Sequence, residues 1–201
     1  IVVLTGGGIG PPKITTLALT PSGMVSTLLA ETRVTFDNIA APIVYVLSGQ
    51  TSVIVPYELA GKQSTQMVAE YRGVRSLPVT VPVLQAKPAL FTADYSYNSA
   101  ANPVDKGGIV LLYGTGEGPI DPPGVTGGVS NTVVPSIVLP VVVTIGGQNA
   151  KVLYKGAAPG QVAGLFQMNV EVPAAAASGA QEVVVSIGNT RSQAGVTVAV
   201  R

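Results

Sequence analysis

The sequence predicts an all-β chain built as two antiparallel β-sandwiches in tandem, and three observations carry that prediction. The first is a long internal repeat. Ile1-Val2-Val3-Leu4-Thr5-Gly6-Gly7-Gly8-Ile9-Gly10-Pro11 returns as Ile109-Val110-Leu111-Leu112-Tyr113-Gly114-Thr115-Gly116-Glu117-Gly118-Pro119, and a period of about a hundred residues marks two copies of one module. The second is the alternation of apolar and polar residues in runs rich in Val, Ile, Thr and Tyr, the pattern of strands with one buried face. The third is turn chemistry between the runs, at Asp37-Asn38, Ala60-Gly61, Arg72-Gly73, Gly146-Gly147, Ser178-Gly179 and Gly188-Asn189. Short strands with such regular punctuation form sandwiches.

The elements follow in the same order in both copies. Each β run at residues 1–4 and 109–113 leads into a glycine-rich turn, where glycine admits positive φ. Val34-Thr35-Phe36 then answers Val143-Thr144-Ile145, and Ile43-Val44-Tyr45 answers Val152-Leu153-Tyr154. In Phe166-Gln167-Met168-Asn169-Val170-Glu171-Val172 the apolar residues face one way and the polar ones the other. Burying that apolar face contributes on the order of 6–12 kcal/mol gross, at about 1.5–3 kcal/mol per large side chain. The alanine run after Pro173 is too short to stand as a helix and reads as a single turn, matched by Tyr57-Glu58-Leu59-Ala60. Val79-Thr80-Val81 answers Val196-Thr197-Val198, and Pro82 marks an edge or a strand end.

The copies meet near Leu84-Gln85-Ala86-Lys87-Pro88, which puts one domain at residues 1–85 and the other at 86–201. Residues 91–108 read as the opening strand and turn of copy two. Copy one shows no counterpart before Ile1, so it is expected to lack its opening strand and to offer Ile1, Val2, Val3 and Leu4 as an edge for strand addition.

Composition narrows the function. Charged residues are 10 % of the chain against 47 % hydrophobic, and the net charge is +1 with the eleven Lys and Arg scattered. No run exists that tracks phosphates, so no nucleic-acid partner is expected. Cys and His are absent, which removes disulfides, thiolate chemistry, Cys/His metal sites and imidazole catalysis. Every apolar run is interrupted before 18 residues, and no direct membrane insertion is expected.

The remaining chemistry reads as structural. The glycine turns lack the Lys-Ser/Thr ending of a phosphate loop and precede no helix. Asp94, Asp105, Glu117 and Asp121 are the candidate calcium ligands, although calcium normally takes six to eight oxygens and no EF-hand loop is present. Lys62 beside Ser64 is the only arrangement resembling an activated hydroxyl, and a polar turn explains it. Phe91, Tyr95 and Tyr97 cluster near the domain junction, while Tyr45 and Tyr154 hold matching packing positions. No catalytic residue and no cofactor is expected.

Val143-Thr144-Ile145-Gly146-Gly147, Ala150-Lys151-Val152-Leu153-Tyr154 and the closing Val-rich pair resemble the IPT/TIG branch of immunoglobulin-like folds. More closely, Asn98-Ser99-Ala100-Ala101-Asn102-Pro103, Leu112-Tyr113-Gly114-Thr115-Gly116, Ala158-Pro159-Gly160 and Thr197-Val198-Ala199-Val200-Arg201 resemble the C-terminal domain family of Solibacter-type acidobacterial exported proteins. The resemblance implies two immunoglobulin-like sandwiches at the C-terminus of a secreted bacterial protein, extracellular or at the cell surface. It supplies no catalytic residue. The expected function is a structural or adhesive module with protein partners or self-association. The alternatives are a filament or surface-layer subunit assembled by strand addition, and a carbohydrate- or calcium-binding accessory of a secreted enzyme.

Overall fold

The computed structural model describes residues 1–130 and 134–201. The chain divides into two compact units, the first comprising Ile1–Leu84 with Gly124–Asn131 and Gly160–Gly164, the second Gln85–Pro123, Thr132–Pro159 and Leu165–Arg201. The fold is all-β and its strand pairs in the sheets are antiparallel.

In the first unit the strands are β1 (Val2–Thr5), β2 (Thr15–Thr16), β3 (Thr32–Phe36), β4 (Ile39–Ala40), β5 (Ile43–Leu47), β6 (Gln50–Val53), β7 (Ser64–Tyr71), β8 (Val74–Arg75) and β9 (Val79–Pro82). One sheet runs β1-β6-β5-β2 and the other β4-β3-β7-β8, with β9 also on β7. Inward residues of the two sheets, among them Leu4, Val34, Phe36, Ile43, Val46, Val53 and Ala69, form one core. The type of turn between β3 and β4 follows from Asp37 and Asn38, both at positive φ (49° and 67°), a conformation these two residues tolerate better than most.

The second unit adds β10 (Ala89–Leu90), β11 (Ile109–Thr115), β12 (Ile120–Asp121), β13 (Ser136–Ile137), β14 (Val141–Ile145), β15 (Gln148–Ala157), β16 (Leu165–Glu171), β17 (Gly179–Ile187), β18 (Thr190–Arg191) and β19 (Thr197–Val200). Its path runs β10-β11-β16-β15-β14-β17-β18, with β19 on β17 and the pair β12/β13 beside β15. The alternation expected in β16 is present: Phe166, Met168, Val170 and Val172 are fully buried.

The repeat is structural as well as sequential. β5 and β15 each carry a bulge at the same place, between Ile43 and Tyr45 and between Val152 and Tyr154. The Ser76 hydroxyl accepts the Ala69 N–H at 3.1 Å, and the Ser192 hydroxyl accepts the Val185 N–H at 3.1 Å. The turns after Pro56 and Pro173 close with the N–H of Leu59 and of Ala176 on the proline carbonyl, so both alanine-rich and tyrosine-containing versions are single turns. Two differences have local causes. β15 is continuous from one layer to the other, whereas Pro42 interrupts the equivalent run between β4 and β5 by removing a ladder donor. The β5–β6 hairpin is tight at Ser48-Gly49, whereas β15 and β16 are joined by a longer connection.

The opening of the second unit differs from the expected strand over residues 91–108. The strand is β10, just before that stretch, and residues 91–108 carry only isolated parallel bridges, Ser96 to Thr197 and Val104 to Val200. The Asn102-Pro103 and Lys106-Gly107 turns explain why no continuous ladder forms there.

Candidate functional site

The feature that separates the two copies is how their edges are closed. In the second unit the opening segment first lies against β11, with Ala89 opposite Thr115 and Leu90 opposite Gly114, and the N–H groups of Lys87 and Phe91 donate to the carbonyls of Gly116 and Tyr113. Leu90 is buried. The Gln193 amide holds its backbone from both sides, accepting the Leu90 N–H at 2.8 Å and donating to the Leu90 carbonyl at 2.7 Å. The segment then moves to β19, where the N–H of Tyr97 donates to the Thr197 carbonyl and that of Thr197 to the Tyr95 carbonyl. The Asn98 amide donates to the Ala199 carbonyl at 2.9 Å and accepts the Ala199 N–H at 2.5 Å.

The first unit presents the same two edges differently. Among the described residues β1 pairs only with β6, and β9 only with β7. Val79 is 49 % exposed where its counterpart Val196 is 0 %, and Val2 is 38 % exposed where Val110 is 8 %. The Gln193 position, immediately after the paired serines, is held by Leu77, which is 85 % exposed. An isolated exposed Leu is ordinary, but here three apolar positions are exposed whose equivalents are covered or polar.

The two exposed edges are not alike. Pro82 stands where Ala199 gives its outward N–H to Asn98, so β9 lacks a donor at the position a neighbour would use. Proline with its missing N–H turned outward is a common way to blunt an edge. β1 carries no proline and no charge. The Gly6 N–H donates inward to the Gly49 carbonyl, which leaves the N–H and carbonyl groups of Val3 and Thr5 on the outer side.

Glycine geometry marks the same strand. A Cβ on Gly114 would come within 2.6 Å of the Ala89 carbonyl and 2.4 Å of the Phe166 ring, so the opening backbone and a core aromatic require glycine. Its counterpart Gly6 has no positive φ, and a Cβ there would meet only the Ile9 side chain at 3.5 Å. Nothing in the first unit demands glycine at that position.

The acidic candidates do not converge. Asp105 is tied to Arg201, whose Nε and Nη2 donate to it at 2.6 and 3.3 Å; the hydrogen bond and charge of Arg201 hold its carboxyl below the usual range and raise the guanidinium in return. Asp94 accepts the Ser96 N–H at 3.2 Å, Glu117 is buried and Asp121 is exposed. Among the described residues no group of three or more metal-ligating side chains gathers. Lys62 pairs with Asp37 at 2.7 Å rather than with Ser64. The aromatics belong to the second unit's opening segment: Phe91 and Tyr95 are exposed, and Tyr97 donates its hydroxyl to the Tyr113 carbonyl at 2.8 Å, with burial pushing its phenol pKa up. Tyr154 sits after its bulge and donates to the Ala157 carbonyl at 2.6 Å.

Sequence reading named β1 and the edge role of Pro82 but missed Gln193, Asn98, Leu77 and the unexplained Gly6. A residue-by-residue alignment of the copies carries the signal, because Gln193 against Leu77 is a polar-to-apolar exchange beside an otherwise matched serine.

These features define the class: tandem immunoglobulin-like antiparallel β-sandwiches, one with an uncovered edge strand. Two solved structures are similar to the chain. The N-terminal eight Ig domains of Down Syndrome Cell Adhesion Molecule are 13 % identical at a TM-score of 0.27, the match covering 96 % of this chain and 22 % of that one. Domains 4–9 of surface layer protein SbsC are 15 % identical at a TM-score of 0.27, with 100 % of this chain and 30 % of that one covered. This chain therefore spans less than a third of either. No family model matches the chain, and no curated protein does.

Proposed function

We propose that the chain is a non-catalytic structural or adhesive module of the extracellular or cell-surface kind, and that it works through strand edges and loops. The observation that carries this reading is that the uncharged β1 of the first unit has no strand on its outer side among the described residues, whereas the equivalent edge of the second unit is closed by the chain's own backbone. Such an edge is a liability in a freely diffusing protein and a functional surface in one that docks onto others. The ionisable side chains support the reading, because Asp37–Lys62, Glu31–Arg72, Glu70–Arg75 and Asp105–Arg201 are pairwise ties between loops and strands. The resemblance to IPT/TIG domains and to Solibacter-type C-terminal domains, drawn from the residues quoted above, supports reading the module as part of an exported bacterial protein.

Immunogold labelling of the source cells with an antibody to this chain tests the reading. Label on the outer surface supports it, and label confined to the cytoplasm contradicts it. Self-assembly into a filament or surface layer is the alternative use of the same β1 edge, and it predicts polymers in electron micrographs of the purified chain.

A further inference from the structure

We infer that residues 124–130 and 160–164 form a latch that closes the first unit, and that the Thr126 hydroxyl is the group that holds it shut. The inference stands apart from the proposed surface role. Both segments lie far along the chain from Ile1–Leu84, among residues of the second copy, yet both pack as part of the first unit. They are tied to one another around an antiparallel bridge of Val129 with Val162. The Ala163 N–H donates to the Gly128 carbonyl at 2.8 Å, the Ser130 N–H to the Gln161 carbonyl at 2.9 Å and the Gly160 N–H to the Ser130 carbonyl at 2.8 Å.

Further contacts fix this pair to residues of the first copy. Thr126 reaches the single turn at Tyr57–Leu59, where its hydroxyl accepts the Tyr57 N–H at 3.0 Å and donates to the Glu58 carboxylate at 2.7 Å. The Val25 N–H donates to the Gly127 carbonyl at 2.8 Å. Glycine permits the close approach: a Cβ on Gly124 would lie 2.4 Å from the Tyr57 ring, and one on Gly127, which has φ +77°, would lie 2.9 Å from the Pro42 ring. The segments also account for burial that the two sheets do not. Val25 and Ile54 are 3 % and 1 % exposed without belonging to the core between the sheets, and Gly127 lies against the Val25 backbone while Gly164 lies against the Ile54 side chain. A latch whose only side-chain clasp is one hydroxyl opens locally, at lower cost than unfolding of the sandwich. Opening uncovers Val25 and Ile54, so the latch sets whether the first unit shows that apolar surface to water.

Amide hydrogen exchange of the full 201-residue chain tests the inference. In the unmodified chain the amides of Val25, Tyr57 and Ala163 are expected to exchange slowly and at one shared rate, because a single opening frees all three. Thr126→Val keeps the side-chain shape but removes both clasp bonds. It speeds exchange at the three amides by about tenfold, as loss of about one net hydrogen bond requires, while Leu112 and Phe166 in the second unit keep their rates. Thr126→Ser retains the hydroxyl and restores the slow rates. Gly127→Ala, which crowds Pro42, acts in the same direction as Thr126→Val. Three results overturn the inference: exchange of these amides in the unmodified chain as fast as in an unstructured peptide, rates indifferent to both Thr126→Val and Gly127→Ala, or acceleration of Leu112 and Phe166 equal to that of Val25. None of these outcomes bears on surface location, which the labelling decides separately.

Discussion

β1 and β11 start from nearly the same residues and finish in different surroundings. Both pair on one side with a strand that follows a bulged partner, and both lead into a glycine turn. β11 then receives Ala89 and Leu90 on its second side, while β1 receives no strand among the described residues. The sandwich core is therefore specified by alternation within each copy, and closure of its edge is specified by a segment outside the repeated landmarks. One plan thus yields an edge covered by the chain itself and, among the described residues, an edge that is not.

The comparison breaks most visibly at Leu90. Leu90→Ala is expected to cost about 2–5 kcal/mol by creating a cavity under the cover, whereas Leu77→Ala in the first unit changes stability by no more than about 0.5 kcal/mol. Denaturant titration followed by circular dichroism distinguishes them. Gln193→Leu copies the first unit's residue into the second and strands the Leu90 N–H and carbonyl, at a cost of about 1–3 kcal/mol. Faster hydrogen exchange at the Leu90 amide reports it.

Smaller effects come from titration. Burial raises the Tyr97 phenol, so the folded state holds that proton more tightly than the unfolded chain does. The stabilisation is fully present below the ordinary tyrosine value near 10 and is lost as pH rises above it. Tyr97→Phe flattens the alkaline limb of the melting-temperature profile, at a neutral-pH cost of about 1 kcal/mol for the bond to Tyr113. The first unit has its acid-side counterpart in Asp37, whose carboxyl is held down by the Gln66 N–H and then by Lys62. Its contribution is present above the usual carboxylate range near 4 and is lost as pH falls below it. Asp37→Asn produces the smallest change, a flatter acid limb that added salt diminishes further, because the pair is exposed.

Much of this was legible in the residues. Alternation in β16 exposes its buried face directly, since Phe166, Met168 and Val170 can serve only one side of a strand. Repetition paired Ile43-Val44-Tyr45 with Val152-Leu153-Tyr154, and Pro82 announced an edge. The opening segment was harder to place because its first strand has only two residues, followed by turns, and its pairing depends on backbone contacts distant in sequence. Gln193 was invisible for a related reason: an amide that grips backbone leaves no local pattern. Gly6 and Gly114 look identical in the sequence, and only their neighbours distinguish a glycine that is crowded from one that is not.

That pair also gives the most direct test. Gly6→Ala and Gly114→Ala, made separately in the full chain, are compared by denaturant unfolding. The difference in surroundings predicts a change within about 0.5 kcal/mol for Gly6→Ala and a loss of about 1–3 kcal/mol for Gly114→Ala, from overpacking against Phe166 and Ala89. Equal losses at the two positions would contradict an open edge on β1.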